Sequence, residues 1–195
     1  MLKITSGRFK KRKINVPRNS QVRPTQAKLR LHVFNYLADF LQNAKILDLY
    51  AGTGAFGIEA LSRGAKHATF VDKVSKSIRT IEKNINTLGI KDKTTLIKQD
   101  AIQFLVRAFK KQDLYDIIFI DPPFDKLLAM PESERTSYIL ELLDRAQKIL
   151  NPKSIIILKM FKKIDVPIPE SLTTFHTKHF GINKLYYLLQ KEYVL

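Results

Sequence analysis

The order of apolar segments predicts an α/β fold of the doubly wound, Rossmann-like type. It is a mostly parallel seven-stranded sheet with an antiparallel C-terminal hairpin, preceded by a small N-terminal β-hairpin. Three observations carry this reading. Five short apolar segments alternate with amphipathic helical stretches from residue 45 to residue 159. A glycine-rich run, Gly52-Thr53-Gly54-Ala55-Phe56-Gly57, follows the first of those segments directly. The last two apolar segments are separated by only a few residues, too few for a crossover helix.

Composition limits what such a chain can do. Its 195 residues are 45% apolar, enough to bury a sizeable core, and fit one domain with a short appendage. It has no cysteine, which excludes a disulfide framework, a thiolate nucleophile and a Cys zinc site, and suits the cytoplasm. Apolar runs such as Ile117–Ile120 and Ile155–Leu158 are far too short to span a membrane. Lys and Arg number 34 against 18 Asp and Glu, a formal charge of +16, which points to a polyanionic partner.

That charge is concentrated at the start. Residues 1–38 hold Lys3, Arg8, Lys10, Lys11, Arg12, Lys13, Arg18, Arg23, Lys28 and Arg30 and no acid. Leu2, Ile4, Phe9, Ile14 and Val16, with Gly7 among them and Pro17 after them, predict a hairpin whose cations meet nucleic acid. The chain divides accordingly into a basic arm, residues 1–22, and a main domain, residues 23–195.

Thr25 offers an N-cap for a helix over 26–41, with Val33, Phe34, Leu37, Phe40 and Leu41 at helical spacing. Strands are predicted at Lys45–Tyr50, Ala68–Asp72, Thr94–Lys98, Tyr115–Asp121 and Ser154–Lys159. Helices are predicted at 55–63, at 75–88 with Ile78, Ile81, Ile85 and Leu88 on one face, at 101–111 and at 135–150. Thr173–Phe180 and Leu185–Gln190 form the closing hairpin around a Gly181–Lys184 turn.

Gly52, Gly54 and Gly57 have the spacing of a dinucleotide-binding loop, and Asp72 follows Gly52 by 20 residues, where it can meet ribose hydroxyls. Taken alone this suits NAD. Asp48, at the end of the first strand, argues otherwise, because a carboxylate beside the loop repels a pyrophosphate. It favours S-adenosylmethionine, whose α-ammonium and sulfonium are cations. Asp100, past the third strand, is placed to accept from an adenine amino group. As plain structural acids, Asp48 and Asp100 would cap helices and Asp72 would end a strand.

The tetrapeptide Asp121-Pro122-Pro123-Phe124 ends the fourth strand, where open α/β sheets bind ligands. An exocyclic amine on a nucleobase is a poor nucleophile because its lone pair is delocalised into the ring. Asp121 and the Pro122 carbonyl can accept its N–H bonds and draw the nitrogen toward tetrahedral geometry, while the two prolines stiffen the loop. Phe124 offers a stacking face worth roughly 1–3 kcal/mol per base, and a base in a duplex would first have to leave its stack. The alternative is a rigid turn with Phe124 in the core.

The run Tyr50 to Ala65, the segment Arg23-Pro24-Thr25 leading to Phe34-Asn35-Tyr36-Leu37, and Asp121 to Phe124 together resemble the RsmD family over nearly the whole chain. These are bacterial 16S rRNA (guanine(966)-N(2))-methyltransferases with a class I S-adenosylmethionine-dependent methyltransferase fold. The resemblance implies cofactor roles at Asp48, Gly52, Gly54, Asp72 and Asp100, with the flanking Tyr50, Ala51, Thr53, Lys73 and Ala101. It implies acceptor roles at Asp121, Pro122, Pro123 and Phe124, and RNA contacts at Arg8, Lys10, Lys11, Arg12, Lys13, Arg23, Thr25 and Arg30. The expected partner is 16S rRNA, within the small subunit or an assembly intermediate, with no metal, no membrane and a monomeric enzyme. Members typically place an acid two residues after Thr25 and glutamate after Arg30, where this chain has Ala27 and Leu31. The fifth strand often ends in glutamate, here Lys159, which adds positive charge near the substrate crevice.

His176 and His179 fall on opposite faces of a predicted strand, without a nearby acid, which argues against a metal site. Methylation of adenine N6 uses the same acceptor geometry and is the second enzymatic reading. A non-catalytic rRNA-binding assembly factor is the reading of a different class, against which the intact loop and Asp121 motif argue.

Overall fold

The structure, a computed structural model, describes residues 2–16 and 24–193, with side chains from residue 27 onward in the second segment. Arg23 and the Thr25 side chain, expected at the substrate rim, and the proposed Thr25 cap lie outside the described residues. The chain forms two compact units, Met1–Asp100 and Ala101–Leu195.

In the first unit, β1 (Leu2–Lys3) and β2 (Lys13–Ile14) form the small hairpin, Leu2 opposite Ile14. Helix α1 (Pro24–Tyr36) leads through a 3-10 turn at Ala38–Phe40 to β3 (Lys45–Leu49). There follow α2 (Ala55–Ser62), β4 (His67–Asp72), α3 (Ser75–Leu88) and β5 (Thr94–Lys98). β3 pairs with β4 and β4 with β5, both parallel. Leu29, Val33, Phe34 and Leu37 supply the buried face of α1 and its exit. Phe40, expected on that face, is exposed instead, because the helix ends at Tyr36 and the 3-10 turn rotates it outward. α3 keeps its predicted bounds, buries Ile81, Ile85 and Leu88, and ends at Gly89, whose φ of 66° is a left-handed C-cap.

The second unit opens with α4 (Ala101–Lys110) and β6 (Tyr115–Ile120), followed by the short α5 (Phe124–Leu128) and by α6 (Glu132–Gln147). β7 (Leu150–Phe161), β8 (Leu172–Phe180) and β9 (Asn183–Gln190) complete it. β6 and β7 are parallel, whereas β9 pairs antiparallel with both β7 and β8. Strand order in the seven-stranded sheet is β5-β4-β3-β6-β7-β9-β8, the architecture expected from the alternation of strand and helix.

Several boundaries differ from expectation, β7 among them at Leu150–Phe161 instead of Ser154–Lys159, and three differences have local reasons. The first strand stops at Leu49 because Tyr50 adopts φ 57°, outside the strand region. The helix expected at 135–150 begins at Glu132, immediately after Pro131, whose fixed φ suits the entry of a helix. Phe124, expected on a loop, starts α5, with Pro123 as its N-cap residue.

Candidate active site

In the first unit the site is built around the turn from β3 into α2. Tyr50, Gly52 and Gly54 all have positive φ, 57°, 57° and 74°. For Tyr50 that conformation costs about 1–2 kcal/mol, and the hydrogen bonds around the turn hold it. Ala51 N–H donates to the Val71 carbonyl at 3.1 Å, and Gly54 N–H to the Ala51 carbonyl at 2.7 Å. A Cβ on Gly57 would lie 2.3 Å from the Phe70 ring, so the third glycine permits close approach of α2 to β4. Among the described residues, a Cβ on Gly52 would meet just the Tyr50 carbonyl oxygen, at 3.8 Å, which is ordinary van der Waals contact.

The three acids at the strand ends have different partners. Asp48 is 2% exposed, and its Oδ2 accepts the Gly57 N–H at 3.0 Å, which anchors the first turn of α2. Asp72 accepts Gly52 N–H at 2.9 Å through Oδ2 and Val74 N–H at 2.8 Å through Oδ1. One carboxylate thus ties the glycine turn to the start of α3 and keeps a lone pair on each oxygen for hydroxyl donors. Asp100 is more open and lies 3.5 Å from the Lys73 ammonium, a solvent-screened pair. Thr53 contributes its carbonyl to Asn84 Nδ2 at 3.1 Å, and Ala101 begins α4 as a buried residue. Carboxylates at three strand ends, with Asp72 bound to the Gly52 N–H, suit a cationic ligand with ribose hydroxyls better than a pyrophosphate.

In the second unit Asp121 follows the last residue of β6, half-buried. Lys159 Nζ donates to both of its carboxylate oxygens, each at 2.6 Å. The same ammonium lies over the Phe124 ring, 5.1 Å from its centroid, and Phe124 packs against Phe161 at 6.1 Å. Pro122 is buried between Asp121 and Pro123. The motif therefore presents a carboxylate, a carbonyl on a stiff backbone and an aromatic ring within one short segment.

The basic hairpin is docked rather than free. Glu59, fully buried on α2, accepts Thr5 N–H at 2.9 Å, Thr5 O–H at 2.6 Å and Ser6 N–H at 3.0 Å. It also pairs with Arg30 Nε at 3.3 Å and Arg63 Nε at 3.0 Å. Ser62 adds an acceptor for Phe9 N–H and a donor to the Ser6 carbonyl, and Gly7 lies so close that a Cβ would strike the Ser62 carbonyl. Asn84, 1% exposed, holds Asn15 on one side and the Thr53 carbonyl on the other.

This docking corrects one expectation. Arg30, expected on the RNA surface, is 3% exposed and spends its guanidinium on Glu59 and on the Lys3 carbonyl at 2.7 Å. These contacts fix the hairpin; burial lowers the Arg30 pKa and Glu59 opposes that shift. Arg8, Lys10, Lys11, Arg12 and Lys13 are exposed. Glu59, Ser62 and Asn84 were missed in the sequence, where the only hint was a single acid inside the otherwise apolar run Ile58-Glu59-Ala60-Leu61.

Comparison with known proteins gives the family and the fold. A family model described as conserved hypothetical protein 95 matches residues 2–189. The ribosomal RNA small subunit methyltransferase D of Buchnera aphidicola is 33% identical over 175 residues, 90% of this chain and 86% of that protein. The solved yhhF protein of Escherichia coli superposes with a TM-score of 0.79 at 25% identity over 97% of each chain. The SAM-dependent methyltransferase from Agrobacterium tumefaciens shares the fold, with a TM-score of 0.62 at 20% identity over 87% of this chain and 63% of that one. The fold is that of class I S-adenosylmethionine-dependent methyltransferases, and the chain belongs to the conserved hypothetical protein 95 family, the RsmD family of rRNA methyltransferases.

Proposed function

We propose that this protein transfers a methyl group from S-adenosylmethionine to the exocyclic N2 of a guanine in 16S rRNA, guanine 966 by family resemblance, directly and in line. The observation that carries the reading is Asp121-Pro122-Pro123-Phe124 at the end of β6, with its carboxylate held and its ring beside it. S-adenosylmethionine supplies a methyl on a sulfonium. Residues of the first unit suited to hold it are the turn Tyr50–Gly54, with Asp72 toward ribose hydroxyls and Asp100, beside Lys73, toward an adenine amine. Asp48 supports this region through Gly57 and by its negative charge, which favours a cationic ligand.

At the acceptor, Asp121 and the Pro122 carbonyl accept the two N–H bonds of the guanine amine. That draws its lone pair out of conjugation and disperses the positive charge that grows on nitrogen as the N–C bond forms. Phe124 stacks on the extruded base, and Asp121 takes the proton released once the nitrogen has been methylated. The exposed cations Arg8, Lys10, Lys11, Arg12 and Lys13 contact rRNA phosphates from the docked hairpin, which makes residues 1–22 an RNA-binding appendage to the catalytic domain. Such a substrate places the enzyme in the cytoplasm, with the small subunit or its assembly intermediate as partner.

The test is transfer of labelled methyl from S-adenosylmethionine to small ribosomal subunits from a strain lacking this activity, followed by digestion to nucleosides. N2-methylguanosine at a single site is expected. N6-methyladenosine would overturn the acceptor, and cofactor binding with no label in any rRNA would point to an assembly factor.

A further inference from the structure

Lys159 follows Leu158, which pairs with Ile120 in the parallel β6/β7 ladder, just as Asp121 follows Ile120. The two residues therefore stand at the same level, Asp121 just past the end of β6 and Lys159 within the neighbouring β7. The ammonium reaches both Asp121 oxygens at 2.6 Å and lies 5.1 Å from the centre of the Phe124 ring, and the Lys159 side chain is only 13% exposed. A carboxylate on a strand end can rotate about two side-chain bonds, and Phe124 stands three residues further on, after two prolines. Nothing in the local backbone fixes the carboxylate plane relative to the ring.

We propose that Lys159 is a positioning residue for methyl transfer, joining the acceptor carboxylate and the stacking ring into one rigid unit. The inference rests on the reading of Asp121 as the acceptor of the base amine. Two oxygens offer about four lone-pair directions, and the lysine engages one on each oxygen. The remaining directions stay available to the incoming amine with their orientation already set, so no torsional search is needed when the base arrives. Lysine suits this task because its ammonium satisfies the carboxylate and the ring face together.

Lys159→Met keeps most of the stem and removes the charge and the donors. With small ribosomal subunits as substrate, its kcat is expected to fall about tenfold or more with KM changed by less than about threefold, the pattern of an interaction that matters in the transition state. Lys159→Arg, able to grip both oxygens, is expected to recover most of the loss. A wild-type kcat in Lys159→Met would overturn the inference, and if KM alone rose Lys159 would be a substrate-binding contact instead. Failure of Lys159→Arg to recover kcat, with both variants melting early, would reduce it to a packing role. Asp121→Asn in the same assay separates the two readings: its inactivity beside a fully active Lys159→Met removes the positioning role alone, whereas wild-type turnover in Asp121→Asn removes both.

Discussion

Of the carboxylates that hold cations in this protein, Glu59 and Asp121 have opposite surroundings. Glu59 is fully buried on α2 and is saturated by Thr5, Ser6, Arg30 and Arg63, with backbone donors among them. Asp121 stands half-buried at a strand end with a lysine as its ion-pair partner. A carboxylate saturated by fixed donors is frame. One held by a single side chain, with lone pairs to spare, can take a further donor during a reaction. Composition alone does not separate them, since each is an acid beside apolar residues.

The largest effect on stability is expected at Glu59. Glu59→Ala leaves Arg30 and Arg63 without their counter-charge and frees the hairpin, so stability should fall by about 3–5 kcal/mol. Chemical denaturation would measure it, and a loss below about 1 kcal/mol would mean that Glu59 is no more structural than a surface acid. Asp121→Ala should do the reverse: turnover should fall roughly 10²–10⁴-fold, with the melting temperature and cofactor affinity largely kept. Comparable turnover in mutant and wild type would sink the acceptor role.

Gly57→Ala disturbs the frame next to the cofactor turn and so tests how far the two kinds of acid depend on each other's surroundings. Its Cβ would press on Phe70, for a cost of about 1–3 kcal/mol read by thermal unfolding, with weaker cofactor binding by calorimetry. Neutralising Lys10, Lys11, Arg12 and Lys13 together should weaken RNA binding and flatten its salt dependence, by up to about one unit of slope for each of these cations that meets a phosphate. An unchanged slope in binding titrations would remove the hairpin from the RNA interface.

The smallest effect belongs to Asp144 and Lys148, an exposed pair on α6. The hydrogen bond from Lys148 lowers the Asp144 pKa, so the pair's contribution is present above the carboxyl's ordinary range and disappears as pH falls through the lowered value. Asp144→Asn should change stability at neutral pH by less than about 1 kcal/mol, with no difference from wild type in acid.

Most of the candidate site was legible because its signals are local. Gly52, Gly54 and Gly57 had to follow a strand and open a helix, and Asp121-Pro122-Pro123-Phe124 had to follow an apolar run; both do. Side-chain destinations were less legible. Arg30 looked like one more exposed cation among ten, and Asp48 like a carboxylate open to a ligand, until tertiary contacts placed one on Glu59 and the other on Gly57. Asn84, which ties down the hairpin together with Glu59, Ser62 and Arg30, belongs to no motif at all.

The alternation of strand and helix, the position of the glycine turn, the family and the basic character of the N-terminus can all be read along the chain. Those properties follow from periodicity and from residues that are neighbours in the chain. Only the tertiary structure decided that Glu59 gathers Thr5 and Ser6 from more than fifty residues away, and that Lys159 meets Asp121 across 38 residues. Such pairs are set by strand register and helix docking. Their free energy comes from burial and geometry that arise when distant segments meet, and no local pattern records it.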